Sequence, residues 1–206
     1  MADNKLLKNK LTLILLGRSG SGKGTQAKFI AKRLKSGARH LSTGQLLRVF
    51  VKKDNSVSKL AARVLKEGKL IPAWLVFYLW SKKLVENGYI TEHLVFDGAP
   101  RRFLEAELLD DVMIWYGRLL PICIYLDVNS KEVTKRLLAR GRHDDTLTVI
   151  KNRLAYFPKD VLPVIHYFKR KKRLICINGE QPIEKVRRDI DKELARRLGR
   201  RWPRGA

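Results

Sequence analysis

The chain has 206 residues, 45% hydrophobic and 31% charged, which suits one packed α/β domain and excludes a disordered or fibrous chain. Lysine and arginine total 44 against 20 acids, a formal charge of +24 that favours phosphate-bearing partners, whether nucleotides, RNA or DNA. The two cysteines, Cys123 and Cys176, lie in apolar runs without C-x-x-C spacing, which excludes a disulfide framework and a zinc site and reads as two buried core fillers.

The N-terminal segment lacks the shape of a signal peptide, because its apolar run is short and leads straight into a glycine-rich loop. That run, "LTLILL" (11–16), is continuously apolar, as expected of a strand buried on both faces. The loop after it, "GRSGSGKGTQ", nearly matches the phosphate-loop pattern G-x-x-x-x-G-K-[ST]. Gly17, Gly22 and Lys23 fit, but Gly24 stands where the hydroxyl belongs, and Thr25 supplies it one place later. A helix is predicted over 23–35 and a short strand over "ARHL" (38–41). In "SVSKLAARVLKEG" apolar residues recur at helical spacing, with Ser56 as the predicted N-cap and Gly68 as the stop. "LIPAWLVFYLW" (70–80) reads as a buried helix opened by Pro72. It falls well short of the roughly 20 residues needed to span a bilayer, so a soluble, cytoplasmic protein with no membrane partner is expected.

Further apolar strands are predicted at "HLVF" (93–96), "PICIYLDV" (121–128) and "RLICIN" (173–178). "NSKEVTKRLLARG" (129–141) reads as a helix ending in basic residues that suit its C-terminus. Strands separated by helices imply a parallel sheet with helices on both faces. Charge is concentrated in "KRKKR" (169–173) and in the C-terminal stretch 187–205.

This context gives the glycine loop its chemistry. Between a buried strand and a helix, the backbone N–H groups of residues 18 to 25 and the helix N-terminus form a cradle for anionic oxygens. Gly20, Gly22 and Gly24 allow close approach, and Lys23 adds a charge for β- and γ-phosphates. Asp97, at the end of an apolar strand, stands where a magnesium-orienting carboxylate belongs. Arg136 and Arg140 share a helix face, Arg142 follows on the loop, and Arg153 lies on the next helix. Phosphoryl transfer needs substrates held in line and charge neutralised, and arginine forks suit that task. The histidines, His40, His93, His143 and His166, are scattered and read as structural.

These motifs, in order through most of the chain, resemble the adenylate kinase family of P-loop nucleoside monophosphate kinases. "GRSGSGKGTQ" is similar to its phosphate loop, which itself carries G-K-G-T. "LSTGQLLR" (41–48) resembles its monophosphate segment and "DGAPR" (97–101) its D-G-F-P-R. "RLLARGRHDDTLTVIKNRL" (136–154) is similar to its lid and arginine run, and "INGEQPIEKV" (177–186) to its last strand.

The resemblance implies a P-loop NTPase three-layer sandwich with a five-stranded parallel sheet, a helical monophosphate-binding insert (42–71) and a short lid (137–146). The core would comprise 1–41, 72–136 and 147–206. It implies reversible transfer from Mg-ATP to AMP, giving ADP, by a monomer. ATP would be held by Gly20, Ser21, Gly22, Lys23, Gly24 and Thr25, with Arg136 on the adenine and the backbone near Gln181 beside it. AMP would be held by Thr43, Gly44, Arg48, Leu70, Gly98, Arg101 and Glu105. Lys23, Arg101, Arg140, Arg142 and Arg153 would act on the transferring phosphoryl, Arg142 and Arg153 also touching AMP, with Asp144 and Asp145 bracing the lid arginines. Asp97 would hold Mg2+ through water. The short lid lacks the four-cysteine insertion, so no structural zinc is implied.

Three positions depart from the family pattern: Gln45 for aspartate, Ala99 for phenylalanine, and Glu105 for the glutamine that reads the AMP base. An ionised glutamate only accepts hydrogen bonds, which suits the N1–H and amino group of guanine. Otherwise Glu105 pairs with Arg102 or another cation and leaves the base to backbone contacts. Kinases of GMP, UMP or CMP are therefore the alternative reading. A basic nucleic-acid-binding protein on a P-loop scaffold is the other.

Overall fold

The computed structural model describes Leu7 and residues 9–34, 37–142 and 144–203. Residue 35 of the first predicted helix, His143 and the last three residues lie outside these. Five strands, β1 (Thr12–Leu16), β2 (Ala38–Ser42), β3 (His93–Asp97), β4 (Ile122–Asp127) and β5 (Leu174–Asn178), form one parallel sheet in the order β2-β3-β1-β4-β5. All five residues of β1 are buried, because helices cover both faces of the central strand.

On one face lie α1 (Lys23–Arg33) and α9 (Ile183–Leu198), which pack Ala27, Ile30, Ile190 and Leu194 against Leu13, Leu15 and Ile124. On the other lie α4 (Ala73–Glu86), α5 (Phe103–Trp115) and α8 (Leu162–Arg170). There Trp80 meets the edges of Phe77 and Phe96, with ring centres 4.8 and 5.6 Å apart. The short helices α2 (Thr43–Phe50) and α3 (Ser56–Lys66) lie between β2 and α4 in the chain. α6 (Ser130–Arg140) and α7 (Leu147–Tyr156) follow β4, and a π-helical turn, Phe157–Val161, joins α7 to α8.

After β1 the chain builds β2 and β3 on one side and then crosses to β4 on the other. The crevice this switch leaves at the C-terminal ends of β1, β3 and β4 is where parallel α/β sheets bind ligands. Among the described residues no helix is long and apolar enough to cross a membrane.

Three local expectations need correction. Asn55, not Ser56, caps α3: its side chain accepts from the Ser58 N–H at 2.8 Å, and Ser58 completes a reciprocal capping box. The helix after Pro72 is amphipathic, with Leu75, Val76, Trp80 and Leu84 buried and Trp74, Tyr78 and Val85 exposed. Cys123 is buried as expected, whereas Cys176 is exposed, because β5 is an edge strand and alternate residues face outward.

Candidate active site

At the end of β1 the chain turns through Gly17–Gly22 into α1, so the open N–H groups of that helix face the crevice. Gly20 has φ +85°, and a Cβ there would lie 2.9 Å from Leu137 of α6, so the loop seats directly on that helix. Lys23 Nζ donates to the carbonyls of Gly17 at 2.9 Å and Arg18 at 2.7 Å, which bends its side chain back over the loop. Burial, with the positive fields of Arg101 and Arg140, lowers its pKa from the ordinary 10.5 to about 8, against the opposing pull of Asp97. A site that disfavours its own cation in this way gains when an anion arrives.

Asp97 ends β3, beside Leu15 of β1. His40 Nε2 is 3.6 Å from its Oδ2 and Ser42 Oγ is 3.4 Å away. Burial alone would raise this carboxyl, but His40, Lys23 and Arg101 outweigh it and hold it below 3.8. A Cβ on residue 24 would sit 3.3 Å from Asp97 Oδ2. This close approach gives a physical reason for Gly24 in place of the usual hydroxyl residue. No group of three or more metal-ligating side chains occurs among the described residues. One ionised carboxylate without a surrounding cage fits Mg2+, which keeps several waters and leans on substrate phosphates.

After Asp97 the chain turns at Gly98 and passes a cis Ala99–Pro100 bond. The Arg101 guanidinium donates to Gly98 O at 2.8 Å and to the Tyr156 hydroxyl at 3.2 Å. It lines a small cavity together with Gly17, Arg18, Lys23 and Gly98.

The acid pair beyond α6 organises the remaining cations. Asp145, its side chain only 1% exposed, accepts two bonds from Arg140, at 2.8 and 2.7 Å, and one from Arg153 at 3.0 Å. Arg153 also donates to Asp144 at 2.5 Å. Burial would raise Asp145, but the Arg140 bonds and the charges of Arg140 and Arg153 keep it below its ordinary value. Arg48, on α2, is lowered by burial first and then by the fields of Arg142 and Arg140. Four chain segments therefore deliver positive charge to one crevice: the glycine loop, α2, the turn after β3 and the stretch from α6 to α7.

A family model, "Adenylate kinase", matches residues 15–173. An adenylate kinase of Synechocystis is 34% identical over 184 residues, covering 87% of this chain and 95% of the relative. One from Porphyromonas gingivalis is 34% identical over 180 residues, covering 85% and 91%. UMP-CMP kinase 3 of Arabidopsis thaliana matches equally well, at 34% over 191 residues, covering 92% and 91%. The chain belongs to the adenylate kinase family.

It is a nucleoside monophosphate kinase, and its fold brings most of the expected residues to one crevice. Lys23 senses Asp97, Arg101 and Arg140, while Arg48 senses Arg142, Arg140, Asp144 and Asp97. Thr43 is buried in the first turn of α2, and Arg48 folds back over Gly44, where an added Cβ would lie 3.3 Å from Nη1. Arg136 bonds Glu132 at 2.8 Å and Gly179 O at 2.9 Å, which ties α6 to the turn before α9. Gln181 spends its amide on Asn178 O and on Asp189 of α9.

Glu105 does not pair with Arg102. It is 2% exposed, and its Oε2 accepts the Arg101 N–H at 2.9 Å, ahead of the first turn of α5. Burial raises its pKa above the ordinary 4.5, although that N–H and the charges of Arg101 and Arg102 oppose the shift. Arg102 instead donates to Asp160 and to Ile71 O.

The kinase also carries residues that motif reading passes over. Arg18 donates to Val128 O at 2.9 Å and stacks over Phe157 at 4.2 Å, fastening the loop to the π-helical turn. Tyr156 anchors Arg101. Arg18 lies inside the motif, but nothing local signals its partners, which are more than a hundred positions away.

Proposed function

We propose that the protein transfers the terminal phosphoryl group of Mg-ATP reversibly to AMP. The observation that carries this reading is that Lys23 of the glycine loop and Arg101 line one cavity, while Asp145 ties Arg140 and Arg153 together. ATP phosphates take the loop of Gly20–Thr25 and Lys23, and Arg136 and the turn at Gln181 take the adenine. Thr43, Gly44, Arg48, Leu70, Gly98 and Arg101 hold the monophosphate. Arg140, Arg142 and Arg153 neutralise the charge spread over the transferring group. Asp145 fixes two of those forks before substrate arrives, so little reorganisation remains for the transition state. Asp97 would hold Mg2+ through water, and the ion would supply positive charge to the phosphates.

The insert 42–71 and lid 137–146 close over both substrates and exclude water, which suppresses ATP hydrolysis. Glu105 is turned to the Arg101 N–H, so base recognition falls to backbone groups around Leu70. Several matched relatives are adenylate kinases, which favours AMP. The equally similar UMP-CMP kinase keeps pyrimidine monophosphates as the second reading. A Lys23→Ala variant tests the reading: it should remain folded and lose at least about a hundredfold in kcat. Full activity in that variant refutes it.

A further inference from the structure

The reaction uses the edge of the sheet where strands end. The opposite edge, where they begin, gathers much of the remaining positive charge. α1, α8 and α9 all run back from the catalytic edge, so their C-termini meet there. The end of α8 and the turn that leads to β5 carry four consecutive exposed cations, Lys169, Arg170, Lys171 and Lys172. Arg197 of α9 donates to Lys172 O at 3.1 Å and to Leu174 O at 2.6 Å, and so holds Arg200 and Arg201 beside that turn. Arg33 of α1 bonds Pro203 O at 3.2 Å and brings Lys32 to the same edge.

The acids nearby are already engaged: Asp110 with Arg173, Asp191 with Arg33, and Glu193 with Arg196. Among the described residues, Lys169 to Lys172, Arg200 and Arg201 pair with no carboxylate. Favourable placement at helix C-termini accounts for cations inside the last turns. It does not account for Lys171, Lys172, Arg200 and Arg201, which lie beyond them.

The C-terminus of α5, which precedes β4, brings an exposed aromatic to the same edge. Arg173 donates to Asp110 of α5 and to Pro121 O, which holds α5 by its C-terminal half. At that end Trp115 is 77% exposed, braced edge-on by Tyr116 at 4.6 Å. An exposed indole on the same edge as cations without carboxylate partners is the combination that binds a single strand, the rings stacking bases and the cations following phosphates.

We propose that this edge binds single-stranded nucleic acid, independently of the phosphoryl-transfer site. The test uses a fluorescent oligouridylate of about 20 nucleotides, anisotropy titrations between about 50 and about 200 mM salt, and saturating ATP to fill the phosphate loop. Binding should persist with ATP present. The triple variant Lys169→Ala, Arg170→Ala, Lys171→Ala should bind more weakly and flatten the log–log salt slope by about 2. Trp115→Ala should weaken binding about tenfold with the slope unchanged, and Trp115→Phe should restore much of it. Both surface variants keep kinase activity, which shows that they are folded. Displacement by ATP, a duplex bound as tightly as the single strand, indifference to Trp115→Ala, or tighter binding to phosphatidylglycerol vesicles that these variants abolish would each overturn the proposal.

Discussion

Replacing Asp145 with asparagine removes one charge and leaves the shape nearly unchanged. The carboxylate holds three hydrogen bonds from two arginines and is 1% exposed, whereas Arg140 is 35% and Arg153 14% exposed. Breaking one side of a fully buried pair costs about 3–5 kcal/mol. Here water can reach Arg140, and Arg153 keeps Asp144, so a loss of about 2 kcal/mol is expected, or a Tm lower by about 4–8 °C. The kinetic effect should exceed that ratio. Both forks lose their common anchor, and misplacement of order 1 Å costs about a hundredfold in rate. Initial rates with Mg-ATP and AMP, read beside thermal melts, separate the two effects. The expected result is kcat down about a hundredfold with KM for ATP changed little. A variant that melts earlier but turns over within about twofold of the parent refutes the claim that Asp145 positions the arginines. The carboxyl lies below 3.8 in the folded protein, so its stabilisation is present above that value and is lost only as pH falls below it.

Three more outcomes follow from the same geometry. Lys23, at about 8, loses its charge in the free enzyme above that pH, so kcat/KM for ATP should fall through a limb near 8, and Lys23→Arg should move the limb upward. Glu105 is raised in the folded state, so its carboxyl weighs against stability as pH climbs past 4.5. Glu105→Gln should therefore melt no earlier than the parent at pH 7 and leave base preference unchanged; a switch of preferred monophosphate would show that residue 105 reads the base. His93 accepts the Leu11 N–H at 2.9 Å, and burial, with Lys10 and Arg118 nearby, lowers it from 6.5 to about 4. The unfolded chain takes up that proton first, so stability should decline as pH falls from 6.5 toward 4, and His93→Gln should flatten the decline in denaturant titrations.

Much of the site is legible in the sequence because its parts are local. The loop, the carboxylate at the end of β3 and the arginines after β4 each lie beside a strand whose apolar run marks it. A parallel sheet then brings strand ends together without further information. What escaped notice depends on distance or on packing. Cys176 resembles Cys123 in its neighbours, and only the place of β5 at the sheet edge leaves it exposed. The opening of α3 shifted by one residue because Asn55 and Ser56 are both good caps, and the reciprocal bond to Ser58 decides between them. Glu105 accepts from a backbone N–H four residues earlier, a partner that side-chain chemistry does not single out. Arg18 and Tyr156 gain their roles from partners far along the chain, which no spacing reveals.

The most direct test of the central claim is a coupled assay with Mg-ATP and, separately, AMP, GMP, UMP and CMP. Rapid ADP formation with AMP and far slower turnover of the other three are expected. Preference for GMP or a pyrimidine monophosphate would contradict the assignment of the acceptor, and no turnover of any of them by folded, ATP-binding protein would contradict phosphoryl transfer itself.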